Sequence, residues 1–158
     1  MGSQSTILAY IAGFLDGDGS LMFQLKHRKD TLRGWRFMMT LCFYQDSRKD
    51  SPLYWIKEQL GIGYISKRND NITELRINGF RQINTILGQL IHYIRFKKEQ
   101  ADVMIKASEI LMSKSAGALT FQEKNYLIDS ILLVQNNNYA TRKKKTRNDL
   151  VKLIDLTP

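Results

Sequence analysis

A single cysteine, Cys42, stands among 158 residues, so no disulfide can form within the chain. That scarcity fits a reducing compartment and excludes a zinc site built on cysteine. Histidine is nearly as rare: His27 and His92 are the only two, too few for a metal cluster built on imidazole. No apolar run approaches the roughly 18 residues needed to cross a bilayer, so no membrane partner is expected. The opening Met1-Gly2-Ser3-Gln4 has neither a basic nor an apolar leader pattern, and no secretory signal is expected. No nucleotide cofactor is expected either.

Acidic residues are also in deficit. There are 24 Lys+Arg against 15 Asp+Glu, a formal charge of +9 and a pI near 9.7. In a chain that is 43% hydrophobic and therefore able to fold, this excess points to a polyanionic partner. A solvated basic surface or anionic lipid accommodates the same charge, so composition by itself favours nucleic acid only modestly.

The patterning reads as α+β, in the order αββαββα followed by a helical C-terminal extension. A helix is expected from about Thr6 to Asp16, ended by Gly17 and Gly19. Residues 20–28 alternate, with Leu21, Phe23 and Leu25 on one face and Ser20, Met22, Gln24, Lys26 and Arg28 on the other. After a polar turn ending at Gly34, a second strand runs from Trp35 to Gln45. It directs Phe37, Met39, Leu41 and Phe43 inward and Arg36, Met38, Thr40, Cys42 and Tyr44 outward. Ser51 as N-cap, Pro52 and Gly61 bound a short helix. Strands at 63–68 and 72–78, joined by Asn69-Asp70-Asn71, present Ser66, Arg68, Glu74 and Arg76 outward. A helix with the apolar stripe Phe80, Ile83, Ile86, Leu87, Leu90, Ile91 and Ile94 comes next. Another starts near Lys97 and Lys98 and ends near Met112. Thr120 with Glu123, and Thr146 with Asp149, form capping boxes opening two further helices, the second reaching Leu156. The expected organisation is one domain, 1–158, with its core at about 6–135 and a basic loop and last helix at 136–158.

The stretch Tyr10-Ile11-Ala12-Gly13-Phe14-Leu15-Asp16-Gly17-Asp18-Gly19 is physically unusual. Ala9, Gly13 and Gly17 recur every four residues and so line one helix face. Each interior glycine costs about 1 kcal/mol relative to alanine, which is tolerable where another helix backbone approaches closely. Two carboxylates then fall at the helix C-terminus, where the macrodipole disfavours acid and a bound cation would reverse the sign. Asp-Gly-Asp-Gly alone suits a solvated turn equally well; the whole string followed by a polar-faced strand is far more specific.

That string resembles the LAGLIDADG signature, and the αββαββ order resembles the same family of homing endonucleases over most of the chain, closest to the single-motif type. The resemblance implies a fold with an antiparallel DNA-binding sheet and site-specific hydrolysis of both strands of a long pseudo-palindromic DNA duplex with Mg²⁺. Mn²⁺ is expected to substitute, and Ca²⁺ to bind without supporting cleavage. It implies staggered cuts across the minor groove that leave short 3′ overhangs. One motif per chain implies a homodimer meeting at Ala9, Ala12, Gly13, Phe14 and Gly17. Matched residue by residue, Asp18 is the metal-binding carboxylate and the Gly17 carbonyl a further ligand. Ile11 stands where the family has Leu, and Asp16 stands for the family's first Asp. Gln45 matches a polar position that orders water, Lys49 a basic position, and Lys97 rather than Lys98 the lysine near the scissile phosphate. Both Lys49 and Lys97 also suit ordinary phosphate contact.

The outward strand residues Gln24, Lys26, Arg28, Arg36, Thr40, Cys42, Tyr44, Ser66, Arg68, Glu74 and Arg76 are the candidate DNA-reading set. Polar alternation is what any solvated sheet face shows, but cations predominate among its charged members. Thr141, Arg142 and Lys143, with Lys144 and Lys145, are expected at phosphates, although a basic tail reads the same way. His27 and His92 are read as surface or structural, and the sequon Asn71-Ile72-Thr73 is set aside. An RNA maturase and a non-cleaving DNA-binding regulator of the same fold are the alternatives. Richness in Ile, Lys and Asn hints at an AT-rich gene, such as a chloroplast or mitochondrial intron, with an archaeal intron as the other setting.

Overall fold

Ser3 opens the first helix by accepting the Thr6 N–H on its side-chain oxygen, and α1 then runs over Gln4–Asp18. The structure is a computed structural model that describes residues 2–139 and 141–155. The expected end at Asp16 is corrected: Gly17 stays helical, and the turn to extended backbone comes at Gly19, whose N–H returns to the Leu15 carbonyl. Glycine weakens a helix without sterically forbidding it, so Asp18 is carried to the last helical position.

β1 (Gly19–His27) and β2 (Trp35–Asp46) pair antiparallel from Gly19↔Phe43 to His27↔Trp35. α2 (Ser51–Leu60) follows, then β3 (Tyr64–Lys67) and β4 (Ile72–Asn78). β4 crosses back to pair with β2, giving the antiparallel order β1-β2-β4-β3. Ser51 was expected to cap α2, but Asp50 holds the N-cap and makes no side-chain cap bond. Its carboxylate instead accepts the Thr73 hydroxyl from β4. α3 (Phe80–Leu90), α4 (Lys98–Ser113), α5 (Phe121–Asn136) and α6 (Arg147–Asp155) complete the chain. α3 is shorter than its apolar stripe. Ile91 and Ile94 lie in the following turn, where Ile94 is nonetheless buried. Both expected capping boxes form, Thr120 with Glu123 and Thr146 with Asp149. Leu156, the expected end of the last helix, lies outside the described residues.

The period of two sorts the sheet into two surfaces. Leu21, Phe23, Leu25, Phe37, Leu41, Phe43, Leu75 and Ile77 are buried in one hydrophobic cluster with Ile11 and Leu15 of α1 and apolar residues of the later helices. The opposite surface carries the polar positions of the same strands. The β1 edge, which would otherwise expose unpaired carbonyls, is covered by the segment after α5. Asn138 donates to the Leu21 carbonyl (2.9 Å) and Lys145 Nζ to the Leu25 carbonyl (2.7 Å).

Leu41 sits on the central strand with no exposed surface. Leu41→Ala should therefore destabilise the fold by about 2–5 kcal/mol. Gln24→Ala, on the exposed polar side, should change stability by less than about 0.5 kcal/mol. Urea unfolding of both variants at one protein concentration checks this, and similar costs for the two would contradict the two-sided sheet.

Candidate active site and nucleic-acid interface

α1 ends where β1 begins, and this junction is tied to a segment some eighty residues away. The Asp16 carboxylate is 8% exposed. It accepts the backbone N–H of Arg95 on one oxygen (2.6 Å) and that of Lys97 on the other (3.0 Å). In return, Lys97 Nζ donates to the Asp16 carbonyl at 2.7 Å. Helix ends leave their last carbonyls without intrahelical partners. Here Gly19 N–H takes that of Leu15 and Lys97 that of Asp16, while the Gly17 carbonyl has no hydrogen-bond donor among the described residues.

Asp18 is exposed, and its carboxylate makes neither a salt bridge nor a hydrogen bond among the described residues, although it lies within the field of Lys97. An unpaired acid beside an open carbonyl, at the negative end of a helix, is a hard-oxygen donor set suited to a divalent cation. A single chain supplies too little for a closed site. No group of three or more His, Cys, Asp or Glu able to hold a metal occurs among the described residues.

The structure separates the two adjacent lysines. Lys97 is half-buried and faces the α1 terminus. Burial pushes its ammonium below the usual lysine range, while Asp16 and Asp18 pull it back up. Lys98 turns outward and pairs with Asp102 one helical turn along α4. Gln45 is half-buried near the end of β2. It lies two residues beyond Phe43, which pairs with Gly19 at the point where α1 gives way to β1. Its side-chain oxygen accepts the Asp46 N–H. Lys49 is exposed, in the 3₁₀ turn Ser47–Lys49.

The small-residue stripe is open. Ala9, Gly13 and Gly17 are exposed, and a Cβ placed at either glycine would meet nothing within 4 Å. Phe14 beside them is half-buried, its ring 6.0 Å from that of Phe43. Ala12 is corrected. It is fully buried among the core residues of its own chain and presents nothing to a second copy. The reason is angular, since positions 11, 12, 15 and 16 form the stripe that packs inward.

On the sheet surface, Gln24, Lys26, Arg36 and Arg68 are exposed, and Ser66, Arg76 and Tyr44 are half-buried. The Tyr44 hydroxyl meets Ser20 Oγ at 3.0 Å. Lys26 lies directly across from Arg36 in the β1–β2 register, and neither forms a salt bridge. Like charges facing each other across strands are destabilising, and this pair is suited to an external anion. Three expected readers are corrected. Thr40 is 5% exposed and donates to Asn78 Oδ1. Cys42 has no exposed surface, crowded by Ser20 and Arg76 on the flanking strands. Burial raises its thiol pKa. Glu74 is 8% exposed and accepts from Arg76 Nε at 3.3 Å. All three point to the expected side, but on inner strands of the sheet, where neighbours cover them. Thr141, Arg142, Lys143 and Lys144 are exposed after α5, whereas Lys145 is engaged with β1 and is not free for phosphate. An open depression of about 620 Å³ joins Lys97 to Ser20, Tyr44, Arg68, Asn138 and Thr141. It links the α1 junction with the polar sheet surface and the basic segment. Sequence reasoning missed the Asp16 clamp and the Asn138 anchor, for which no local signal exists.

The family model described as LAGLIDADG endonuclease matches residues 11–106. The chain is 28% identical over 137 residues to the DNA endonuclease I-CvuI of Chlorella vulgaris, spanning 87% of this chain and 81% of that one. It is 24% identical over 147 residues to the DNA endonuclease I-CreI of Chlamydomonas reinhardtii, spanning 93% and 87% respectively. Its fold superimposes on the crystal structure of I-CvuI in complex with its target with a TM-score of 0.80 at 23% identity, covering 96% of this chain and 94% of the other.

Removing the Asp16 carboxylate strands two backbone donors. Hydrogen bonds to a charged acceptor contribute about 1.5–3 kcal/mol each, so Asp16→Ala should cost about 3–6 kcal/mol. Unfolding in urea at fixed protein concentration measures it. A loss below about 0.5 kcal/mol would mean the junction is held by other contacts.

Proposed function

The chain belongs to the LAGLIDADG endonuclease family, and we propose that it is a site-specific DNA endonuclease. It acts as a homodimer and hydrolyses both strands of a long pseudo-palindromic duplex with Mg²⁺. The observation that carries the reading is Asp18, an unpaired carboxylate at the open end of α1, on a helix whose small-residue face has no partner within the chain. Two helices meeting along Ala9, Gly13 and Gly17 would bring two copies of Asp18 together, the second supplying the ligands that one chain lacks. The relatives named DNA endonucleases and the neighbour solved with its DNA target support the substrate class.

In this arrangement the Asp18 carboxylate and Gly17 carbonyl would hold the cation, which when bound would supply polarisation of the phosphoryl oxygen and acidification of an attacking water. Lys97, fixed by the Asp16 carbonyl, keeps positive charge beside the phosphate as negative charge builds in the transition state. Gln45, near the end of β2, orients water at the phosphorus. Lys49 contacts a neighbouring phosphate. Gln24, Lys26, Arg28, Arg36, Tyr44, Ser66, Arg68 and Arg76 face base edges and the flanking backbone, while Thr141, Arg142 and Lys143 anchor phosphates. Two such sheets related by a dyad cover on the order of two helical turns, ~20 bp. Residues 1–158 act as one domain. Mn²⁺ substitutes for Mg²⁺, and Ca²⁺ supports binding alone. The gene's setting, an organellar or archaeal intron, rests on the Ile, Lys and Asn richness.

Asp18→Asn should remove cleavage in Mg²⁺ while target binding in Ca²⁺ stays within a few-fold. Lys97→Ala should slow single-turnover cleavage by about 10²–10³-fold, and Lys98→Ala by less than about threefold. Near-normal cutting by Asp18→Asn would overturn the site assignment. Gly13→Leu tests assembly, because a leucine on the open face holds two helix backbones apart. Sedimentation should show monomer, and an intact active dimer would move the dyad off α1.

A further inference from the structure

Four arginines carried by the sheet or its hairpin ends share one arrangement. Each is paired with a carboxylate two residues away: Arg28 with Asp30, Arg48 with Asp46, Arg68 with Asp70, and Arg76 with Glu74. Two of the pairs are bidentate. Arg28 donates through Nε to Asp30 Oδ1 (2.9 Å) and through Nη2 to Oδ2 (2.8 Å). Arg48 does the same to Asp46 at 3.0 and 2.6 Å. In none of the four does Nη1 make a hydrogen bond. Except at the buried Glu74, the pairs stand on exposed or half-exposed side chains, where ion pairs contribute little to stability. An excess-cation surface that also spends acids in this way needs another reason for them.

A guanidinium offers two forked edges to a planar acceptor pair, Nε with Nη2 or Nη1 with Nη2. Guanine presents O6 and N7 in the major groove and is read by such a fork. A free arginine can use either edge, swing to a phosphate, or contact another base. A carboxylate clamped on the Nε–Nη2 edge removes those choices and leaves only the end-on fork.

Resting on the DNA-reading role proposed above, we propose that Asp30 is a specificity-determining positioning residue. It holds Arg28 so that only its Nη1–Nη2 edge can meet a guanine at the distal end of each half-site. The position follows from the strand. Arg28 follows the last residue of β1, and nine residues from Gly19 to His27 at about 3.3 Å each set it roughly 30 Å from the α1 terminus. Hydrogen bonding to the Arg28 guanidinium holds the Asp30 carboxyl down to about 2, so the clamp is ionised throughout the neutral range. Asp30 also stands within the field of Arg36. Its charge therefore repels the DNA backbone and lowers sequence-independent affinity. Positioning and repulsion act in the same direction, toward guanine and away from indiscriminate binding.

Asp30 lies in an exposed turn, so its replacement does not threaten the fold. The test is a binding profile over all single-base variants of the target, in Ca²⁺ and at two salt concentrations, for the wild type, Arg28→Ala, Asp30→Ala and Asp30→Asn. Asn keeps the size and loses the charged two-oxygen acceptor. Both Asp30 variants should flatten a preference of about tenfold or more to within about threefold, at the same distal position as Arg28→Ala. Their overall affinity should stay level or rise, with a steeper salt dependence. If Arg28→Ala flattens the profile and the Asp30 variants do not, Asp30 has no positioning role although the sheet reads DNA. If Arg28→Ala weakens binding evenly, Arg28 is a phosphate anchor and the proposal is overturned. A wild-type chain without any base preference would instead overturn the underlying function. A profile flattened only in variants that also lose thermal stability would reduce Asp30 to a turn residue.

Discussion

The Asp16 carboxylate accepts two backbone N–H groups from the segment that precedes α4, and the Lys97 ammonium answers on the Asp16 carbonyl. This reciprocal clamp fixes three things at once. It caps the end of α1, because Lys97 satisfies a carbonyl that the helix leaves without an intrahelical partner. It sets the position of Lys97 relative to Asp18, two residues beyond the clamp. It also joins the first strand to the helical layer, so that the polar face of the sheet and the end of α1 meet at one junction. A buried carboxylate is tolerable only when its acceptor capacity is met by donors, and here rigid backbone supplies them.

Beyond the clamp, one chain stops short of a complete site. The helix exposes one unpaired carboxylate and one unbonded carbonyl, and the face beside them is lined with residues too small to bury anything internally. Two helical glycines cost stability that nothing within the monomer offsets. On the proposed reading, that cost is recovered only when a second copy packs against the stripe and doubles the carboxylate. Assembly and metal binding are then one event, and two symmetric cuts follow from the same geometry.

Period-two alternation in 20–28 and 35–45 was enough to place β1 and β2 and say which side of each is buried, and the runs 63–68 and 72–78 about Asn69-Asp70-Asn71 placed β3 and β4. Cap signals located Thr120 and Thr146, because both depend on bonds three residues apart. Alternation could not say how crowded each outward position is. Thr40, Cys42 and Glu74 face the expected side but lie on β2 and β4, the two inner strands, where neighbours close over them; Gln24, Lys26 and Arg68 belong to the flanking strands and stay open. Strand order depends on the crossover that returns β4 to β2, which no local pattern encodes. Ala12 was misplaced for a similar reason, since one step around a helix turns a side chain by about 100° from the open stripe into the core. The Asp16 clamp spans about eighty residues of sequence and left no trace in the motif beyond the acid itself.

The charged groups of the sheet surface fall into two populations with different physical consequences. Lys26 and Arg36 oppose each other across the strands with no carboxylate in salt-bridge contact among the described residues, and only Asp30 nearby in the field of Arg36. On the proposed reading an outside anion relieves their repulsion, so they supply attraction that is indifferent to sequence and weakens with salt. The arginines paired with Asp30, Asp70 and Glu74 are partly neutralised and angularly restrained. They lose long-range pull and gain direction. A surface made only of the first kind would bind any duplex tightly, and one made only of the second would be slow to find its target. On the proposed reading, mixing the two on one sheet separates the residues that bring DNA in from those that choose where it stops, and only a duplex stopped in register sets its phosphates at the α1 terminus.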